Sequence, residues 1–218
     1  EVEARLDGVW DRRWLFGWRD ITGTEKQRTV IGCVMPRVGM GHTMPLMFPG
    51  LDTPVVGCLS ANLACLSFDY TARQKVGGTH LTYGYLKQLP VLAPGVYAAD
   101  PPWQRGTSLR DWLLPRALEL TYTTWDLQPF AEDCGDSGPP YIWDPERRFQ
   151  LQCEIDAAFF HLYGLSRDDA DYILDTFPVL RRSDERAHGE YRTKRVILEV
   201  YDALGDAAAA GRPYVSPL

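Results

Sequence analysis

Residues 67–90 read SFDYTARQKVGGTHLTYGYLKQLP, and the arrangement of the chain turns on them. Just upstream and into this stretch, Leu59, Leu63, Leu66 and Tyr70 recur at i, i+4, i+7 and i+11. That is the spacing of one helical face, so the periodicity predicts an amphipathic helix over residues 53–76. Arg73 and Lys75 fall in its last turn, where cations complement the carbonyl end of the helix dipole. Gly77-Gly78 predicts the stop, because glycine takes the left-handed conformation of a helix C-cap. Thr79-His80 then reads as a polar loop, and residues 85–91 as an extended run that re-enters a sheet. A cationic helix end, a glycine pair and a strand re-entry suit a surface that grips a polyanion. The same residues also read as an ordinary C-cap followed by a loop.

Working towards the N-terminus, WLFGWRDIT (residues 14–22) and RTVIGCVMP (residues 28–36) are short, aromatic and β-branched, and bounded by turn formers. They predict two strands joined through Gly23-Thr24-Glu25-Lys26. Arg19 and Arg28 flank that connection. A planar five-donor guanidinium suits a guanine edge or a phosphate, and it equally suits surface pairs with Asp20 and Glu25. Residues 37–52 are rich in Gly, Pro and Met and read as a loop holding a short strand. Gly39-Met40-Gly41 lacks a third glycine and an ensuing helix, so it reads as a turn rather than a nucleotide loop. Asn62, in mid-helix, is left facing either solvent or DNA.

Towards the C-terminus, Pro90, Pro94, Pro101 and Pro102 predict a stiff, non-helical connector. Ser108 is placed to cap a helix over residues 108–124, in which Pro115 predicts a kink or a helix start. A further helical piece is expected over residues 126–132, followed by the loop CGDSGPP. Asp144-Pro145 pairs an Asp cap with proline at the first helical position. Ile155, Phe159, Leu162 and Tyr163 form the next apolar stripe, and Gly164 ends it. Ser166 with Asp169 predicts a capping box, Pro178 a stop, and residues 189–209 a last helix with Val196, Ile197, Val200 and Leu204 inward. Arg181, Arg182, Arg186, Arg192, Lys194 and Arg195 gather near its start, where a solvated or ion-paired face is the expectation. The expected fold class is therefore α+β. An α/β module (residues 1–95, strands plus one long helix) precedes a proline-rich connector (96–107) and a mainly α-helical module (108–218).

At 218 residues with 45 % apolar content and seven tryptophans, the chain can bury a sizeable core. No run of about 18 apolar residues occurs, so no membrane partner is expected. EVEARLDGVWDRR has no apolar signal segment, and the absence of an initial Met fits a fragment or a processed chain. Cys33, Cys58, Cys65, Cys134 and Cys153 are an odd, scattered set without a CxxC pair; they read as thiols in a reducing cytoplasm rather than as metal ligands. The formal net charge of −6 is unevenly spread. Residues 1–95 hold ten Lys/Arg against eight Asp/Glu, and residues 96–218 hold thirteen against twenty-one. A polyanion would meet the first part.

RQKVGGTHL followed by YLKQLPVLAP resembles the target-recognition region of bacterial adenine-specific DNA methyltransferases of the long, single-chain restriction–modification or phage-defence type. WRDIT at residues 18–22 is similar to the same proteins. So are FFHLYGLSRDDADYILDTFPVLRR and GEYRTKRVILEVYDAL, within residues 143–204. The resemblance covers most of the chain, in the family's order. It implies that this part lies C-terminal to a catalytic domain of the same parent chain and touches double-stranded DNA. Arg19, Arg28, Arg73, Lys75, Gly77, Gly78, Thr79 and His80 are the residues expected to meet it. S-adenosylmethionine is expected in that catalytic domain, with no cofactor in this chain.

The chemistry legible within the chain agrees with a non-catalytic part. Gly138-Pro139-Pro140-Tyr141 has the outline of a base-holding Asn/Asp-Pro-Pro-aromatic loop, but glycine stands where the amino-group acceptor belongs. It reads as a turn. His42, His80, His161 and His188 are dispersed, no GxSxG elbow occurs, and His161 reads as a satisfied core histidine. Glu190 with Lys194 is ordinary helix ion-pair spacing rather than a nuclease site. Two other readings stay open: a separate specificity subunit, which should carry a second recognition domain and coiled-coil spacers, and a protein-interaction module, favoured by the acidic second half.

Overall fold

β1 (Trp14–Trp18) is the strand around which the fold closes. All five residues of WLFGW are buried, as befits a strand covered on both faces. It runs between β2 (Gly32–Pro36) and β3 (Leu46–Met47) in an antiparallel sheet of order β2-β1-β3. Trp14 pairs with Pro36 and Trp18 with Gly32 on one side, and Phe16 and Gly17 with Met47 and Leu46 on the other. Gly17 is needed here, since a Cβ would stand 2.3 Å from the Pro45 carbonyl oxygen.

This computed structural model describes residues 2–218. A short helix, α1 (Val2–Leu6), precedes the strands. After them come α2 (Thr53–Ala64), α3 (Leu66–Lys75), α4 (Tyr83–Leu86), α5 (Leu109–Thr121), α6 (Gln128–Asp133), α7 (Pro145–Leu162), α8 (Arg167–Asp175), α9 (Pro178–His188) and α10 (Arg192–Ala210). The fold is α+β: 53 % helical, with one small antiparallel sheet near its N-terminal end. The chain segments 14–22 and 28–36 both contribute a strand as their composition predicts, and the Met-rich loop carries the short third one.

Four local expectations are corrected. The helix over residues 53–76 is two helices, bent by 61° at Cys65, whose ψ of 152° is extended. The break has a cause: the Asp156 carboxylate of α7 accepts the Leu66 N–H at 2.6 Å, supplying the N-terminal acceptor of α3 from another element. Secondly, Gly77-Gly78 takes no left-handed conformation. α3 ends with Val76 extended, and neither glycine has positive φ. Thirdly, residues 85–91 form no strand. Tyr83–Leu86 is helical, and the return to the sheet is a single bridge between Ile21 and His80. Lastly, Pro178 starts α9 instead of only ending α8, and Gly189, at φ +75°, closes α9 three residues before α10 begins. Proline at a first helical position is as much a start as a stop.

Elsewhere the caps stand where the side chains put them. Ser108 accepts from Asp111 N, Asp144 from Glu146 N and Arg147 N, and Ser166 with Asp169 completes a capping box. α5 continues through Pro115. A 3-10 turn, Pro94–Ala98, leads into the connector, in which Tyr97 and Trp103 are buried.

One apolar cluster runs from β1 to α10. α2 and α5 approach so closely that a Cβ on Gly57 would meet Leu114 Cδ1 at 2.6 Å. Asn62, fully buried, resolves the choice between solvent and DNA in favour of neither. Its Nδ2 donates to Tyr163 Oη (2.7 Å), and its Oδ1 accepts from Leu92 N (3.0 Å). Tyr163 Oη donates in turn to Pro90 O. The amide thus ties α2, the connector and α7 together. Trp14 Nε1 likewise reaches Asp133 at the end of α6 (2.8 Å). α10 packs on α7, α8 and α9 to complete the helical side.

Candidate nucleic-acid interface

The loop between β1 and β2 and the loop after α3 lie against one another. Thr22 N donates to Thr79 O, Leu81 N to Asp20 O, and Ile21 bridges His80. His80 Nδ1 meets Asp20 Oδ2 at 2.5 Å, with the imidazole 57 % exposed. Residues 24–27 and 77–80 are all exposed, and residues 20–22 join the two loops. Around Gly77 and Gly78, an added Cβ would meet nothing within 4 Å. The backbone there is open to approach from outside. Lys75, in the last turn of α3, is exposed and donates to Gln88 Oε1. Among the described residues Lys26 pairs only with its neighbour Glu25, both well exposed, an arrangement that holds a cation weakly.

Arg73 occupies a different place from the one expected of a DNA contact. Its side chain is turned inward, where Nη1 donates to Thr24 O and Nη2 to Lys26 O and Gln27 O. Nε pairs with Asp69 at 3.3 Å, and the guanidinium lies 4.2 Å over the Phe177 ring of the turn before α9. Asp69, one turn earlier and 1 % exposed, accepts Thr29 N and Val30 N at 2.8 and 2.7 Å. Together they fasten the β1–β2 loop onto α3. Arg73 shapes the edge from behind.

Arg28 is also turned away from the edge, towards a cleft between the start of β2, the ends of α2 and α5, and α7. Its guanidinium stands 3.6 Å from Asp156 of α7. Asp156 is buried, and burial pushes its carboxyl up to about 6 against the opposing pull of Arg28 and the Leu66 N–H. Arg19 is half-buried at the end of β1, with Nε enclosed and unpaired. Neither arginine takes the pair that charge spacing suggests: Asp20 goes to His80 and Glu25 to Lys26.

The structure therefore leaves Lys75, Gly77, Gly78, Thr79 and His80 exposed at and after the end of α3, joins Thr79 and His80 to the β1–β2 loop, and leaves exposed on that loop Lys26, which the sequence reading passed over as part of a turn. The clue was available: Lys26 is the cation of the loop that Arg28 closes. The basic group around α9 and α10 is largely ion-paired, as expected: Arg181 with Glu185, Arg192 with Glu146, Lys194 with Asp171 and Asp175, and Arg195 with Glu190 and Glu199. His161 stacks on Tyr201 at 3.9 Å, and its Nε2 bonds Tyr201 O. Residues 138–141 are held as a turn by Gly138 N to Asp136, Tyr122 Oη to Gly138 O and Tyr141 N to Tyr122 O. Among the described residues no group of three or more His, Cys, Asp or Glu gathers as a metal site. No single helix is long and apolar enough to cross a membrane.

Comparison of the chain with family models, with curated proteins and with solved structures finds no match.

Proposed function

We propose that this chain is the DNA-facing target-recognition portion of an adenine-specific DNA methyltransferase of a restriction–modification or phage-defence system. S-adenosylmethionine and the methyl transfer belong, on this reading, to a catalytic domain of the same parent chain. The supporting observation is that two loops with exposed polar residues, 24–27 and 77–80, are joined through Thr22–Thr79 and Ile21–His80, the first held in shape from within by Arg73 and Asp69. Lys26 and Lys75 supply point charges for phosphates. The unencumbered backbone at Gly77-Gly78 permits close approach of a sugar–phosphate strand, and Thr79 and His80 offer hydrogen-bonding side chains for base edges. Two lysines, with Glu25 beside Lys26 and Asp20 beside His80, make a weak electrostatic footprint. Most phosphate contacts are then the catalytic domain's, and this chain alone binds duplex DNA weakly with a steep dependence on salt.

The test is fluorescence anisotropy of the chain with a random-sequence duplex at two salt concentrations, for the native sequence and for Lys26→Ala/Lys75→Ala. Loss of two phosphate contacts is expected to weaken binding across all sequences and to reduce the salt slope by about 2. Equal affinity and equal slope in both proteins would remove the edge from consideration.

A second reading, a protein-interaction module, is favoured by one specific feature. An apolar groove of about 470 Å³ opens between β3, α2 and α4, lined by Met47, Phe48, Leu59, Leu63, Tyr83 and Leu86. Measurable salt-sensitive DNA binding separates the two readings.

A further inference from the structure

The cleft that receives Arg28 has features the DNA-facing edge does not use. Its volume is about 260 Å³, and its polar wall is made by Arg28, Arg148, Asp156, Ser60, Thr121 and Gln152. Arg28 Nη1 is enclosed and has no hydrogen-bond partner. Enclosed polar atoms are nearly always paired, so this guanidinium is short of one acceptor, while the rest of the Arg28 side chain, 26 % exposed, lines the cleft. Ser60, Thr121 and Gln152 make no side-chain hydrogen bond among the described residues. One strong charged donor, one amide and two hydroxyls are therefore unspent around the same space. Arg148 adds a second guanidinium, fixed by donation to Glu119 O and Leu120 O and by stacking 3.7 Å over Trp143. Those two bonds also occupy carbonyls at the end of α5 that would otherwise repel an anion. Against two guanidiniums stands one carboxylate, Asp156, already engaged by the Leu66 N–H. The balance in the cleft is positive.

We infer that this cleft is a binding site for a phosphoryl oxyanion, held by Arg28 and oriented by Gln152, Ser60 and Thr121. A guanidinium fork meets phosphate oxygens bidentately, and hydroxyl and amide donors complete the remaining oxygens. The site does not depend on the loop edge contacting DNA, because it is formed by different elements.

Inorganic phosphate is the probe, titrated into the 218-residue chain at constant ionic strength with chloride as the balancing anion, and followed by phosphorus NMR line broadening. Saturable broadening is expected with the native sequence. Arg28→Lys, which keeps the charge beside Asp156 but loses the fork, should weaken binding about tenfold or more. Gln152→Ala, which breaks no side-chain hydrogen bond among the described residues, should weaken it about fivefold. A duplex added to the phosphate complex separates two sources of the same chemistry: displacement assigns the cleft to a nucleic-acid phosphodiester, and retention assigns it to a free phosphate or phosphomonoester. No saturable broadening, or broadening unchanged in folded Gln152→Ala and Arg28→Lys, overturns the assignment.

Discussion

Asp156 shows how one side chain carries several structural duties and leaves a measurable trace. It starts α3 through the Leu66 N–H, faces Arg28, and sits with its carboxyl raised to about 6 by burial. An acid whose folded value lies above its unfolded value stabilises the fold through its protonated form. That contribution is complete below about pH 4 and is lost as pH rises through about 6. The stability of the native sequence relative to Asp156→Asn should therefore fall by about 3 kcal/mol between pH 4 and pH 7, at about 1.4 kcal/mol per pKa unit. Urea unfolding of both proteins at the two pH values checks this. Parallel curves would mean that the carboxyl titrates as it does in the unfolded chain. Nothing around residue 156 in the sequence signals this role, since its partners lie at 28 and 66. Arg73 was legible as a cation at a helix end, but its direction was not: the carbonyls it serves belong to a loop 46 to 49 residues away.

At the scale of elements, local chemistry was readable wherever it decided the outcome. Ser108, Asp144-Pro145 and Ser166 with Asp169 start helices because the cap is made within three residues. WLFGW forms a strand because it is short, aromatic and flanked by turn formers. The break between α2 and α3 was unreadable because its acceptor comes from α7. Residues 83–86 close a helical turn, although YGYLKQLP also suits an extended run, and the return to the sheet is limited to the bridge at His80. Gly17 marks where that edge is tightest. Gly17→Ala is expected to cost about 1–3 kcal/mol by forcing β3 away from β1. Gly77→Ala, at a site with open space, should stay within about 0.5 kcal/mol. Denaturant midpoints of the two variants decide the matter, and a neutral Gly17→Ala would show that β3 moves freely.

Across the whole molecule, the first 95 residues and the residues after the connector share their interior. Asn62 bonds Tyr163, Gly57 abuts Leu114, and Trp14 bonds Asp133. The two compositional halves that the charge distribution separates are therefore packed around common side chains. Unfolding is expected to be a single transition, coincident by far-UV circular dichroism and by tryptophan fluorescence. A fragment ending at residue 95 should give the collapsed amide dispersion of an unfolded chain in a proton–nitrogen correlation spectrum. A well-dispersed spectrum from that fragment would establish an independent N-terminal unit. The charge asymmetry, by contrast, was plain in the sequence, because it needs only counting. That it leaves a modestly basic edge beside an acidic helical side required knowing which lysines stay exposed and which arginines turn inward.

The bond from Trp14 to Asp133 spans 119 residues, and that from Leu66 to Asp156 spans 90. The ribosome makes the first member of each pair long before the second. At about 5–20 residues per second, the central strand waits on the order of ten seconds for the helix that covers it. During that interval Trp14 lacks Phe130 and Asp133, and that part of the N-terminal sheet is exposed to other nascent copies. The yield of folded protein is then governed by the order of synthesis and by what shields the emerging strand, as well as by the stability of the finished fold.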